Sequence, residues 1–220
     1  MCRAPSRQAV IAFYDRFGGR QDRQGWYEDA PLERLIAAGD FAAARRVCEF
    51  GCGTGRLAAR LLRAELPPEA RYLGLDASGT MARLAAGRLR PWAGRAEVRR
   101  GDGSLRVPLA DGACDRFVAT YVLDLLPEPD IAALLAEAAR VLAPGGRLCV
   151  AGLTPGRGPL TAAVTGLWRL AHRLHWPLVG GCRPLRVAPR LAPETWRVLH
   201  AEVVVAWGIP SEVLVAERRG

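Results

Sequence analysis

A glycine-rich segment near residue 50 constrains the fold of this chain more than any other feature. Gly51, Gly53 and Gly55 stand at every second position, between a short apolar run and a segment with leucines at helical spacing. Glycines placed in this way allow a tight turn and a close approach of the backbone to a ligand, and the following helix presents its first amides. The pattern predicts a strand, a binding turn and a helix, which together open an α/β fold.

Strands and helices alternate through the middle of the chain. The predicted strands are 46–50, 72–75, 96–99, 116–122 and 147–152, and the predicted helices are 56–66, 78–89 and 131–142. Two β-rich runs, 201–207 and 212–216, follow, and the short link between them forces an antiparallel hairpin. We therefore predict a doubly wound, Rossmann-like α/β fold with a mostly parallel seven-stranded sheet and an antiparallel C-terminal hairpin.

The chain of 220 residues is long enough for one such domain and too short for two. An amphipathic helix at 5–17 and a second helix from Pro31 to Gly39 precede the core, and Asp130 is expected to cap the helix 131–142. We expect a single domain, 1–220, that divides into an N-terminal helical cap (1–44), a cofactor-binding core (45–152), a lid-like insertion (153–183) and a C-terminal hairpin region (184–220).

Composition excludes several classes of protein. Half of the residues are hydrophobic, 24% are charged, and no apolar run approaches the roughly 18 residues of a membrane span, so we expect a cytoplasmic globular protein. The net charge of +9 comes from arginines scattered along the chain, with no lysine, which disfavours a nucleic-acid surface. The six cysteines form no C-x-x-C pair, and we expect no metal.

Three carboxylates follow three consecutive predicted strands. Glu49 lies beside the glycine loop, Asp76 ends the second strand and Asp102 follows the third. The carboxyl ends of parallel strands line one crevice, so we expect these residues to converge there. Asp76 is placed to accept hydrogen bonds from ribose hydroxyls. A dinucleotide fingerprint would need glycine or alanine at position 56, where this chain has Arg56, so an adenosine ligand other than a nicotinamide cofactor is favoured.

With these motifs, the chain resembles the class I S-adenosylmethionine-dependent methyltransferases. The resemblance covers about residues 45–152 and rests on the glycine loop, on Gly74-Leu75-Asp76, on Gly101-Asp102-Gly103, on the segment 109–116 and on Leu142-Ala143-Pro144-Gly145-Gly146. It implies S-adenosylmethionine as cofactor, S-adenosylhomocysteine as product, and no metal. The cofactor-binding residues that it implies are Glu49, Gly51, Cys52, Gly53, Gly55, Asp76, Ala77, Met81, Asp102, Gly103, Thr120, Tyr121 and, on an N-terminal cover, Tyr14.

Within the family, the chain is similar to the small-molecule branch related to quinone and phospholipid methyltransferases. The amino-methylating branches of the family carry a Pro-Pro-Tyr type loop after the fourth strand, and this chain has Thr120-Tyr121-Val122 there. This difference disfavours the exocyclic amines of nucleic-acid bases as acceptors. We expect a small-molecule or lipid-like acceptor. A nicotinamide-dependent oxidoreductase and a non-catalytic S-adenosylmethionine-binding protein stay open as alternatives.

Two further questions stay open at the level of sequence. If the reaction needs a proton acceptor, the candidates are Asp124, His172, His175, Tyr14 and Tyr121. None of them is assigned as a catalytic residue. The segment 160–179 carries an apolar stripe with arginine and histidine opposite, which favours a lid over the acceptor and leaves a peripheral membrane contact as the alternative. The sequence does not indicate the oligomeric state.

Overall fold

A seven-stranded sheet forms the centre of the molecule. The structure is a computed structural model, and it describes residues 4–156 and 158–220. Its strands are β1 (Arg46–Phe50), β2 (Arg71–Asp76), β3 (Ala96–Arg100), β4 (Cys114–Thr120), β5 (Leu142–Leu153), β6 (Trp196–Ala206) and β7 (Ile209–Arg218). They lie in the order β3-β2-β1-β4-β5-β7-β6, with β1 to β5 parallel and β7 antiparallel to both neighbours. The predicted α/β fold with its antiparallel hairpin is confirmed.

Helices cover both faces of this sheet. They are α1 (Arg7–Phe17), α2 (Gly25–Gly39), α3 (Arg56–Arg60), α4 (Gly79–Arg88), α5 (Glu128–Val141) and α6 (Pro159–His175), and α3 continues as a π-helical turn over Leu61–Glu65. Alternate strand residues point to opposite faces, so Val47 and Tyr72 pack in one core while Cys48 and Leu73 pack in the other. Cys2 and Arg157 lie outside the described residues.

Helix α2 starts earlier than the sequence suggests. It begins at Gly25, so Pro31 lies inside the helix, and the prediction that Pro31 opens it is wrong. A proline in this position removes one backbone hydrogen bond. The helix nevertheless buries Tyr27, Leu32 and Leu35 on one face, and this burial outweighs the lost bond.

Helix α5 and strand β4 also differ from prediction at their ends. Pro127 precedes α5, so Asp130 lies in the first turn instead of capping it, where its charge favours the positive end of the helix dipole. Strand β4 stops at Thr120 because Tyr121 has a φ of 54°, in the left-handed region, which no regular strand contains. Tyr121 and Val122 therefore belong to the loop after β4.

The terminal hairpin is longer and tighter than predicted. Strand pairing continues to Ala206 and Ile209, so the turn consists of Trp207 and Gly208 alone. Both have positive φ, 53° and 81°, which matches the two-residue turns that join twisted antiparallel strands. Strand β7 is buried along most of its length because it lies between β5 and the edge strand β6.

Helix α6 lies in the predicted lid-like insertion, and only part of its predicted apolar stripe meets the core. Thr161, Thr165 and His172 are its buried residues, whereas Leu167 and Leu174 are exposed. The prediction that the apolar stripe packs on the core is confirmed for Val164 and Trp168, and it is wrong for these leucines and for the solvated position expected of His172. The Nε2 atom of His172 lies 3.1 Å from the Gly181 carbonyl oxygen, and this hydrogen bond makes burial of the polar ring acceptable.

Candidate functional site

A cavity of about 580 Å³ opens at the carboxyl ends of the central parallel strands. This volume lies within the range of small-ligand pockets, about 300–1,000 Å³, and the position is the one that open α/β sheets use for ligands. Ten of the residues that the sequence indicates line it: Tyr14, Gly51, Gly53, Asp76, Ala77, Met81, Asp102, Gly103, Thr120 and Tyr121. Convergence of these loops was therefore predictable from strand order.

The glycine loop forms one wall of the cavity. Gly51 has a φ of 75°, and a Cβ atom there would lie 2.3 Å from Cγ2 of Val122, so only glycine fits both the conformation and the space. The backbone N–H groups of Gly51 and Cys52 both donate to the Leu75 carbonyl, at 2.7 and 3.0 Å. The loop is thus tied to the end of β2.

Asp76 stands at the junction of this loop and β2. Its Oδ2 accepts the Gly53 N–H at 2.9 Å and its Oδ1 accepts the Ser78 N–H at 2.8 Å. Burial raises the pKa of this carboxyl to about 6, although the two amides act in the opposite direction. Each carboxylate oxygen can accept a further bond, so two more donors, such as vicinal hydroxyls, can be held from the cavity side.

The loop after β3 forms the opposite wall. Asp102 accepts the Ser104 N–H at 2.8 Å, and hydrogen bonding to Ser104 lowers the pKa of this exposed carboxyl. Arg7 of α1 donates to the Gly103 carbonyl at 2.9 Å and so joins the N-terminal helix to this wall. Met81 also lines the cavity, in the first turn of α4. Ser78 caps this helix, and its hydroxyl accepts the Met81 N–H at 3.1 Å.

The N-terminal helix α1 and the helical turn Gly18–Gln24 cover the cavity. Asp15 accepts the Ser78 hydroxyl at 2.6 Å, and Asp22 accepts the Thr54 hydroxyl at 2.5 Å while pairing with Arg88 at 2.5 Å. These bonds fasten the cover to the loops that carry the site. Both carboxylates are half-buried, and each accepts hydrogen bonds, so neither is left unsatisfied.

Gln21, in this cover, is a lining residue that sequence analysis missed. Its Oε1 is buried without a hydrogen-bond partner within residues 4–156 and 158–220, beside the glycine loop, where a Cβ on Gly53 would lie 2.9 Å away. A buried amide oxygen without a protein partner is uncommon, so a donor from outside the protein is expected here. The surrounding polar segment has no periodicity that could have revealed it.

Tyr14 and Tyr121 lie at the end of the cavity nearest β4. The Tyr14 hydroxyl donates to the Gly180 carbonyl at 3.1 Å, and the Tyr121 hydroxyl lies 3.1 Å from the Ser211 hydroxyl. Burial raises the pKa of both phenols well above the ordinary value, so both stay neutral near pH 7. Neither can serve as a proton acceptor at that pH, but both rings can hold a cation.

Three of the predicted binding residues lie below the loop instead of lining the cavity: Glu49, Cys52 and Gly55. The expectation that the Glu49 side chain faces the crevice is wrong. It is buried and accepts the Tyr72 hydroxyl at 2.5 Å, because its position in β1 directs it to the same face as that ring. Cys52 is buried against Gly74, and Gly55 allows α3 to approach Ala85 of α4.

The other candidate proton acceptors lie away from the cavity wall. The Asp124 carboxylate is buried behind Leu125 and accepts the Leu153 N–H at 3.2 Å; burial raises its pKa to about 6. Burial lowers the pKa of His172, which is held by Gly181, and His175 is exposed at the end of α6. Among the described residues that line the cavity, none comes from 158–183, so α6 does not form the acceptor wall that the sequence suggested.

Several apolar lining residues were also missed, because they flank the motifs and carry no signal of their own. Leu125 and Leu126 follow β4, and Val10 and Ile11 lie on α1. In the described part of the chain, no three His, Cys, Asp or Glu side chains are grouped so that they could hold a metal ion. No helix in the described ranges has the length and apolar character needed to cross a bilayer.

Comparison with known proteins identifies the family. Residues 47–146 match the family described as a methyltransferase domain. A ubiquinone/menaquinone biosynthesis C-methyltransferase, UbiE of Syntrophotalea carbinolica, is 32% identical over 164 residues, which are 74% of this chain and 66% of that protein. The chain belongs to the class I S-adenosylmethionine-dependent methyltransferases. This methyltransferase chain spans about half to two thirds of the length of the curated relatives it matches.

Solved structures share the methyltransferase fold. An O-methyltransferase family protein from Burkholderia thailandensis has a TM-score of 0.71 at 19% identity, over 96% of this chain and 60% of that one. The N-methyltransferase NodS from Bradyrhizobium japonicum, in complex with S-adenosylhomocysteine, has a TM-score of 0.66 at 16% identity, over 88% of each chain. At these identities the likeness establishes the fold, and the identity of the acceptor is a separate question.

Proposed function

We propose that this chain is an S-adenosylmethionine-dependent methyltransferase that acts on a small-molecule or lipid-like acceptor. The observation that carries the proposal is the cavity at the carboxyl ends of the parallel strands, in which the glycine loop, Asp76 and the two tyrosines meet. Family membership favours methyl transfer over a nicotinamide-linked oxidation. The C-methyltransferase name of the UbiE relative favours a quinone-like acceptor within this class.

The residues present suit the cofactor. We propose that Asp76 holds the ribose hydroxyls, that the Asp102–Gly103 wall contacts adenine, and that the glycine loop passes beside the methionine part. The buried Gln21 Oε1 would accept a hydrogen bond from the amino group of that part, which supplies the donor that it lacks. The rings of Tyr14 and Tyr121 would face the sulfonium end, where their electron-rich faces favour a positive charge.

When bound, the sulfonium supplies an activated methyl group, so the work of the protein is orientation and the exclusion of water. α1 and the turn Gly18–Gln24 cover the cavity, and Asp15 and Asp22 fasten that cover. Apolar walls at Val122, Leu125 and Leu126 favour an uncharged acceptor over a charged one. No side chain is proposed as a general base. The cytoplasmic location stays a prediction.

Titration calorimetry with S-adenosylhomocysteine and with NADH is the first test. We expect the former to bind to the folded chain and the latter not to bind. Binding of NADH alone would overturn the proposal and support the oxidoreductase alternative. Turnover is then measured with labelled S-adenosylmethionine and a reduced naphthoquinone as acceptor. Cofactor binding without methyl transfer to this acceptor or to a panel of phenols and lipids would support the non-catalytic alternative.

A further inference from the structure

Helix α6 presents a row of leucines to solvent. Leu160, Leu167 and Leu174 recur at every seventh position and are 73%, 69% and 76% exposed. Leu170 on α6 and Leu178 in the turn that follows it are 51% and 74% exposed. A helix of a globular protein ordinarily turns such a stripe to the core. A contiguous exposed apolar face of this kind indicates an interaction surface.

Polar contacts on the inner side fix this orientation. The Trp168 indole N–H donates to the Cys182 carbonyl at 2.9 Å, and the His172 ring bonds to the Gly181 carbonyl at 3.1 Å. The Thr165 hydroxyl donates to the Thr161 carbonyl of the preceding turn at 2.9 Å, so this buried hydroxyl is also satisfied. Turning the leucines inward would break the bonds of Trp168 and His172 to the 181–182 backbone, and the exposure of the leucines is therefore built into the fold.

The charged residues of α6 itself have one sign. No aspartate or glutamate occurs between Glu137 and Glu194, a range that includes all of α6. Arg169 and Arg173 are exposed and lie one turn apart on α6, on the side away from Leu160, Leu167 and Leu174, and Arg173 is one turn from the exposed Leu170. A helix with an apolar face and basic flanks matches the interface of a bilayer with anionic headgroups, where arginine side chains contact phosphates and leucines enter the acyl boundary.

A second exposed element lies beside α6. The turn of the β6–β7 hairpin lies against α6, since a Cβ on Gly208 would lie 3.7 Å from Cγ2 of Val164. Trp207 in that turn is 81% exposed. Indole rings favour the boundary between lipid and water, because the ring is apolar and the N–H is polar.

We propose that the leucine face of α6, with Arg169, Arg173 and Trp207, docks on the surface of an anionic lipid bilayer. A symmetric pairing of two copies through the same face is disfavoured, because α6 carries no acidic residue that could pair with Arg173 of a second copy. The docking does not depend on the proposed methyl transfer. It would bring the bilayer close to the cavity cover, since Trp176, directly after α6, contacts Phe13 of α1 with ring centres 5.4 Å apart.

Vesicle flotation tests the proposal with the full chain. The probes are vesicles of phosphatidylcholine alone and of phosphatidylcholine with about one third phosphatidylglycerol. We expect binding to the anionic vesicles, weakened by salt, and little binding to the neutral ones. The double variant Leu167→Gln/Leu174→Gln should need at least about tenfold more anionic lipid for half-maximal binding. Arg169→Gln/Arg173→Gln should reduce binding and its salt dependence together.

The matched control is Leu84→Gln, which changes a 40% exposed leucine on α4 and should leave vesicle binding unchanged. Each variant is also titrated with S-adenosylhomocysteine. If all variants bind this compound with equal affinity, a change in vesicle binding reports on the α6 face and not on the cofactor site. Absence of vesicle binding, or binding that the α6 variants do not weaken, would overturn the proposal. A dimer that sedimentation detects in the parent and not in the leucine variant would assign the face to a second copy instead.

Discussion

At the scale of single residues, Asp76 carries the most specific expectation for cofactor binding. Its two oxygens hold the amides of Gly53 and Ser78 and still have lone pairs for a ligand. We expect Asp76→Ala to weaken S-adenosylhomocysteine binding by about 1–3 kcal/mol in calorimetry, because a charged acceptor is lost. Asp76→Asn, which keeps one acceptor oxygen, should lie between this variant and the parent.

The exposed Glu69→Ala variant is the control for this measurement and should bind as the parent does. Circular dichroism on each variant establishes that the fold is retained. An unchanged dissociation constant for the Asp76→Ala variant would mean that this carboxylate serves the loop alone.

Glu49 leads to a prediction about stability and pH. Burial raises the pKa of its carboxyl from 4.5 to about 8, although the Tyr72 hydrogen bond acts in the opposite direction. The folded protein therefore keeps the proton over a range where the unfolded chain releases it, so this group lowers the free energy of unfolding as pH rises from about 4.5 to about 8. Glu49→Gln should remove this loss of stability, which is on the order of 5 kcal/mol over the window.

Urea unfolding at several pH values measures this effect as the difference between the Glu49→Gln variant and the parent. Glu69→Gln, on the surface, should run parallel to the parent at every pH. A constant difference between the Glu49→Gln variant and the parent across the window would show that Glu49 ionises in the folded protein at its ordinary pKa.

At the scale of elements, the β1–α3 turn depends on glycine for two separate reasons. Gly51 has a φ of 75° and no room for a Cβ beside Val122, whereas Gly145 has nearly the same φ, 76°, and nothing within 4 Å of a Cβ. We expect Gly145→Ala to cost about 1 kcal/mol of stability from backbone strain alone. Gly51→Ala should cost at least about 1 kcal/mol more, because of the added contact.

Chemical denaturation of these two alanine variants separates strain from contact. Calorimetry adds a second criterion, since only the Gly51 change should reduce S-adenosylhomocysteine affinity. Equal effects of both substitutions on stability and on affinity would contradict the close approach of the loop to Val122.

At the scale of the whole molecule, we expect the four predicted regions of residues 1–220 to unfold together. The cover is fastened to the core through Asp15 and Asp22, and β7 of the hairpin region lies between β5 and β6. Scanning calorimetry should give one transition. Excess S-adenosylhomocysteine, at a hundred times its dissociation constant, should stabilise that transition by about 2.7 kcal/mol. Two transitions, of which the ligand moves one, would indicate independent units.

Local spacing in the sequence determined the alternation of strands and helices and the meeting of Gly51, Asp76 and Asp102. These features follow from periodicity and from the rule that parallel strands end at one edge. Only the tertiary structure decided the position of Gln21, since no periodic pattern marks its segment and the ion pair of Asp22 with Arg88 holds it in place. The direction of the α6 leucine face was also undecided by the sequence. The helical period predicts which residues share a face. What that face meets depends on tertiary contacts, which here are those of Trp168 and His172 with the 181–182 backbone.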